Sequence, residues 1–205
     1  MSSGIKIFSY LPNPRVWKSL IAANFCGAKV EVVGDEPKNL PNWLWDYDAR
    51  KLNENDKANS ALIRKGRRGF TNDLYKTDEF LFAHPFGTVP AAFDSETKSG
   101  IFESNSIMRA VARSGKPNNL YGGNDKVLAS RIDSFLDVNL VFAREHQVYI
   151  LSVEKMNEVL YNRMKSAYEF YLDGIESALK INKFIVGDFM SLADIAFVCD
   201  VGYFL

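Results

Sequence analysis

The sequence predicts a mixed α/β domain followed by an all-helical one. Three features carry that expectation: a strand–helix–strand unit at the start, two short strands around a polar hairpin before residue 103, and a helical apolar period after a Gly/Asn/Pro-rich stretch.

Taken in order, Ile5-Lys6-Ile7-Phe8-Ser9-Tyr10 alternates as a strand does, and Leu11-Pro12-Asn13-Pro14 breaks it before a helix over about 15–26, which Gly27 ends. Residues 29–33 form the next strand, and the crossover helix between the two implies a parallel pair. Strands at 91–93 and 100–102 flank a polar hairpin loop, and a helix over about 104–113 closes the domain. Ser114-Gly115-Lys116-Pro117-Asn118-Asn119 and Gly122-Gly123-Asn124 are linker-like, which sets domains at 1–114 and 122–205. Past them, a helix over about 125–149 carries Ile132, Phe135 and Leu136, and a second long helix presents Met164, Tyr168, Tyr171 and Ile175 on one face. Ser191 and Asp194 have capping-box spacing at the head of a nearly all-apolar helix over 192–205, a folding device for the helical core.

Composition narrows the function classes. With 205 residues, 47% of them hydrophobic, and 25 acidic against 25 basic side chains, the chain can build a large core, and its neutral balance argues against a broad nucleic-acid footprint. No apolar run approaches the ~18–20 residues of a membrane span, and the N-terminus lacks a secretory pattern, so the cytoplasm is the expected compartment. Cys26 and Cys199 lie far apart in apolar stretches and read as buried thiols, not as a disulfide or zinc pair. No metal site is expected: His146 has no second ligand in view.

Two segments carry the candidate chemistry. In the first, Phe86-Gly87-Thr88-Val89-Pro90-Ala91 is a turn that delivers a Val-Pro peptide, which can be cis, to the start of a strand. The Val89 backbone can then pair with an extended peptide as a sheet edge does, although a Val-Pro before a strand can equally be only a turn. In the second, Phe102-Glu103-Ser104-Asn105-Ser106-Ile107 ends a strand and starts a helix, aiming unpaired N–H groups and the Ser104 hydroxyl at one small volume that suits a carboxylate. Glu103 adds a negative charge for an ammonium, though a serine there can also be only a cap. His84, beside the turn, reads as an exposed loop histidine, with a place in the ligand site as the alternative.

With Trp17-Lys18-Ser19-Leu20-Ile21-Ala22-Ala23, the Val-Pro and Glu-Ser segments, and Phe184-Ile185-Val186-Gly187 through Asp194, the chain resembles the cytosolic glutathione transferases. Within them it is most similar to the transferase-like N-terminal domain of the elongation factor 1B gamma family. The resemblance implies a thioredoxin-like first domain, a helical second domain, and glutathione held by Val89, Pro90, Glu103 and Ser104. It also implies a homodimer and a place in translation elongation, as a scaffold holding the nucleotide-exchange subunit of elongation factor 1B. The alternative is a working transferase that lowers the glutathione thiol pKa, since the thiolate is the nucleophile.

Three departures from that pattern stand out. Where serine-type transferases place their catalytic hydroxyl shortly before an arginine that Arg15 would match, this chain has Leu11, Pro12 and Asn13. Tyr10 and Ser9 are the nearest hydroxyls, and alternation puts one in the core and the other toward the site without deciding which. Tyr10 (or else a packing aromatic), Asn13 and Arg15 are therefore the candidate thiolate-stabilising residues. The second departure is a long insertion at about 35–79. Its Trp43 and Trp45 either pack or cover a site or partner surface, and its basic run at 64–69 reads as a solvated, mobile loop, with contact to ribosomal or transfer RNA as the alternative. Third, the chain stops at Tyr203-Phe204-Leu205, inside a helix where relatives continue, so the helical domain is expected to be a short form or a piece.

Overall fold

The computed structural model describes residues 4–67, 69–117 and 119–202; Arg68 of the basic run, Asn118 of the linker-like stretch and 203–205 of the last predicted helix lie outside them. The chain divides into two units, Met1–Lys116 and Pro117–Leu205.

The first unit is built on β1 (Ile5–Tyr10), which pairs parallel with β2 (Val30–Asp35) across helix α1 (Pro14–Cys26). Asn13 caps α1 by accepting the Arg15 N–H at 2.9 Å. Gly27 ends it at φ 65°, in the left-handed region glycine occupies without a Cβ clash. On its other edge β1 pairs antiparallel with β7 (Ala91–Asp94), and β7 with β8 (Gly100–Phe102), giving the order β2-β1-β7-β8. Helix α4 (Ser104–Ser114) follows β8.

The insertion is not a loop. It forms a second four-stranded sheet, β4-β3-β6-β5, from β3 (Trp43–Trp45), β4 (Arg50–Lys51), β5 (Ile63–Lys65) and β6 (Asp73–Lys76), with helices α2 (Glu54–Ala58) and α3 (Asp78–Ala83). Arg64 and Lys65 of the basic run thus sit in a paired strand and not in a mobile loop. The reason is burial: Leu40, Trp43, Trp45, Leu74 and Phe80 share one core with Phe8, Ala91 and Phe93 of the first sheet. The two tryptophans are packing residues. Trp45 meets Phe8, Phe70 and Phe80 edge-on at ring-centroid distances of 5.4, 5.5 and 6.0 Å.

The second unit contains α5 (Lys126–Leu151), α6 (Glu158–Leu179) and α7 (Leu192–Val201). Its core gathers Phe142, Met164, Tyr171, Ile175 and Ile185 with Ala193 and Val201. Ser191 and Asp194 form the capping box that starts α7. Cys26 and Cys199 are buried free thiols, and no helix among the described residues is long and apolar enough to cross a membrane.

Candidate functional site

One row of strand pairing builds the site. Phe8 of β1 stands opposite Ala91 of β7, and Ala91 opposite Phe102 of β8. Because β7 runs against both neighbours, the chain leaves this row in one direction on all three strands. Ser9 and Tyr10, Pro90 and Val89, and Glu103 and Ser104 therefore emerge at the same end of the sheet. The Val89–Pro90 peptide is cis, as is Leu11–Pro12. Val89 and Tyr10 both pack, half-buried, against the core around Phe8.

Glu103 is exposed and holds φ 64°, ψ 126°, a conformation that non-glycine residues avoid and keep, at a cost of about 1–3 kcal/mol, only where the surroundings over-determine it. Its side chain does not cap α4. The first-turn N–H groups of that helix, at the positive end of its dipole, consequently lack a cap from the preceding side chain. Ser104, the first helical residue, is buried. Behind it, Asn105 accepts a hydrogen bond from the buried Lys18 ammonium at 2.9 Å.

The candidate thiolate-stabilising residues fare differently. Ser9 is the core-facing member of its pair, fully buried, and Tyr10 the half-buried one. Asn13 is fully buried: it caps α1 through its carbonyl and donates through Nδ2 to the Ser9 hydroxyl at 3.0 Å. Arg15 is half-buried in the first turn of α1. Among the described residues no cluster of three or more His, Cys, Asp or Glu is arranged to hold a metal.

Two further residues bear on the Val-Pro turn. His84 is not an exposed loop histidine: it is 1% exposed, because its ring lies flat on Phe102 at 4.8 Å with an interplanar angle of 2° and touches Phe80. Its Nε2 accepts the Thr88 N–H at 3.3 Å. Lys76, at the end of β6, is buried as well; its ammonium donates to the Gly87 carbonyl at 2.5 Å and sits 4.4 Å from the Trp45 ring. Burial pushes Lys76 down to about 8, with Arg67 and Arg64 adding like charge. Sequence reasoning passed over Lys76, yet a signal existed: it lies two residues from Leu74 on a strand, hence on the same face. No comparable period exists for His84, which follows the six-residue helix α3.

Burial, with the Lys76 charge in support, lowers His84 from 6.5 to about 4. Between those values the unfolded chain binds the proton and the folded chain does not. The stabilisation is therefore complete above about pH 6.5 and lost as pH falls toward about 4, on the order of 2–3 kcal/mol. Urea unfolding followed by tryptophan fluorescence from about pH 7.5 to 4.5 is expected to show a steeper loss in the native chain than in His84→Phe. Parallel pH profiles for the two proteins would refute this assignment.

Comparison with known proteins locates this architecture. Residues 133–204 match the family described as glutathione S-transferase, C-terminal domain. Elongation factor 1-gamma of Artemia salina is 29% identical over 197 residues, covering 95% of this chain and 37% of that protein. The mouse protein of the same name, from Mus musculus, is 28% identical over 196 residues, covering 94% and 37%. The chain thus spans a little over a third of the length of these curated relatives. Among solved structures, poplar glutathione transferase F1 superposes with a TM-score of 0.65 at 19% identity, covering 98% of this chain and 80% of that one. A delta-class glutathione transferase of Nilaparvata lugens gives 0.64 at 17%, covering 96% and 76%.

Proposed function

We propose that this chain, which has the glutathione transferase fold and resembles elongation factor 1-gamma over most of its length, is a glutathione-binding scaffold of that type. The observation that carries the reading is the row Phe8–Ala91–Phe102, from which three segments leave one end of the sheet with the chemistry a γ-glutamyl peptide needs. In this reading the Val89 backbone pairs with the extended middle of the ligand, next to Pro90. The Ser104 hydroxyl and the first-turn N–H groups of α4 take a carboxylate. Exposed Glu103 takes the ammonium, and its unusual backbone is the strain expected where a carboxyl group is held toward a ligand.

The likeness to elongation factor 1-gamma supports a cytoplasmic scaffold in translation elongation that holds the nucleotide-exchange subunit and pairs as a homodimer. Catalytic use of the pocket is the second reading, favoured by Tyr10 at the same sheet end, with Arg15 contributing positive charge. Fully buried Asn13 is the weaker candidate, since its amide already bridges β1 and α1.

Isothermal titration with glutathione is the test. Saturable binding is expected to weaken about ten- to a hundredfold in Ser104→Ala, the cost of losing a hydrogen bond to a charged group. Equal affinity in the variant, or none in the native chain, would defeat the pocket assignment. Saturable conjugation to an aromatic electrophile, absent from Tyr10→Phe, would move the chain to the catalytic reading.

A further inference from the structure

Resting on the pocket proposed above, we infer that His84 is a positioning residue that sets the two halves of the site against each other. Its ring touches both, alongside Phe86 of the turn segment, whose ring meets Phe102 edge-on at 5.3 Å. On one side its Nε2 accepts the Thr88 N–H, directly before Val89. On the other its face lies flat on Phe102, directly before Glu103 and Ser104. The backbone adds to this: the Gly87 N–H donates to the His84 carbonyl at 2.8 Å, and the His84 N–H to the Phe80 carbonyl at 2.8 Å, so the residue is anchored to α3 while it holds the turn. Lys76 secures the turn from the inserted sheet through the Gly87 carbonyl.

Packing alone does not account for an imidazole here. Nε2 faces both the Thr88 N–H and the Thr88 hydroxyl at 3.3 Å, and in the tautomer we assign its lone pair accepts from Thr88 while the ring proton is on Nδ1. Nδ1 is buried and has no hydrogen-bond partner among the described residues. An apolar ring could keep the stack on Phe102 without that penalty but could not accept from Thr88. The gain that offsets the unpaired Nδ1 is the location of Thr88, and through it the backbone of Val89. Low exposure keeps the ring neutral, as its lowered pKa indicates.

The test pairs two substitutions with a spectrum of the unmodified protein. His84→Phe keeps a flat ring and loses the acceptor; His84→Gln loses the ring and keeps an acceptor at the Nε2 position. Glutathione affinity is expected to fall about tenfold in His84→Phe and to stay within about threefold of native in His84→Gln, the difference being one hydrogen bond that orders the turn. Thr88 amide hydrogen exchange is expected to quicken in the first variant only. Native affinity in His84→Phe, or equal losses in both variants, would overturn the inference while leaving the pocket reading intact. Failure of the native chain to bind glutathione would overturn both. Should His84→Phe not fold, the 15N spectrum of the native ring decides: the Nδ1–H form is expected, and the Nε2–H form would overturn the acceptor role.

Discussion

Trp45→Ala is expected to destabilise the first unit by about 3–5 kcal/mol, in the range of large-to-small changes at fully buried aromatics. Trp45 is 1% exposed and sits where the two sheets share a core. Removing it deletes the edge contacts to Phe8, Phe70 and Phe80. It also leaves the buried Leu40 carbonyl without the indole N–H that donates to it at 3.2 Å. The Lys76 ammonium loses the ring beneath it, so an already costly buried cation becomes costlier. The three tryptophans, Trp17, Trp43 and Trp45, all belong to the first unit, so intrinsic fluorescence in a urea titration follows that unit. A loss below about 1 kcal/mol would mean that the inserted sheet is not integral to the core. Ile63→Ala on the exposed edge strand β5 serves as the contrast and is expected to change stability by less than about 0.5 kcal/mol.

Asp194→Ala is expected to cost the second unit about 2–4 kcal/mol, because one carboxylate serves three donors. Its Oδ2 accepts from the Ser191 N–H at 2.8 Å and the Ser191 hydroxyl at 2.9 Å, and its Oδ1 from the Ile185 N–H at 2.9 Å. Ile185 belongs to the helical core, so the carboxylate ties the start of α7 to the segment before it as well as capping the helix. Asp194→Asn keeps the Oδ1 acceptor and is expected to recover about half of the loss. Helical circular dichroism suits this measurement, since α5, α6 and α7 supply most of the helix. Equal stability of Asp194→Ala and the native chain would show that the box is dispensable.

The Val-Pro turn and the strand end and helix start around Glu103 were legible because their signals are local. A proline after valine, a strand that ends, and a polar residue at a helix start are read within a few positions of each other. The same holds for Ser191 and Asp194, three residues apart. Likeness to a family extended that reading, since the chain matches its relatives over most of its length. The sheet within the insertion was not legible, for the opposite reason. β3 lies beside β6 across about thirty residues, with β4, α2 and β5 between, and no strand there exceeds four residues. Runs that short carry too little periodicity to announce a sheet, and their pairing partners are far away in the chain.

Ser9 against Tyr10 shows the same division. Period-two alternation demanded that one be buried, and neighbouring elements selected Ser9, to whose hydroxyl the Asn13 amide donates. His84 and Lys76 follow suit: a polar residue after a short helix and a lysine in an apparent loop look solvated in sequence, and both are buried. What the sequence alone determined, then, were the elements with strong local patterns, their order, and the segments that leave the first sheet at one end. The tertiary structure alone decided which polar groups are buried, because burial depends on what packs over a residue from elsewhere in the chain: for His84 the ring of Phe102, for Lys76 the ring of Trp45.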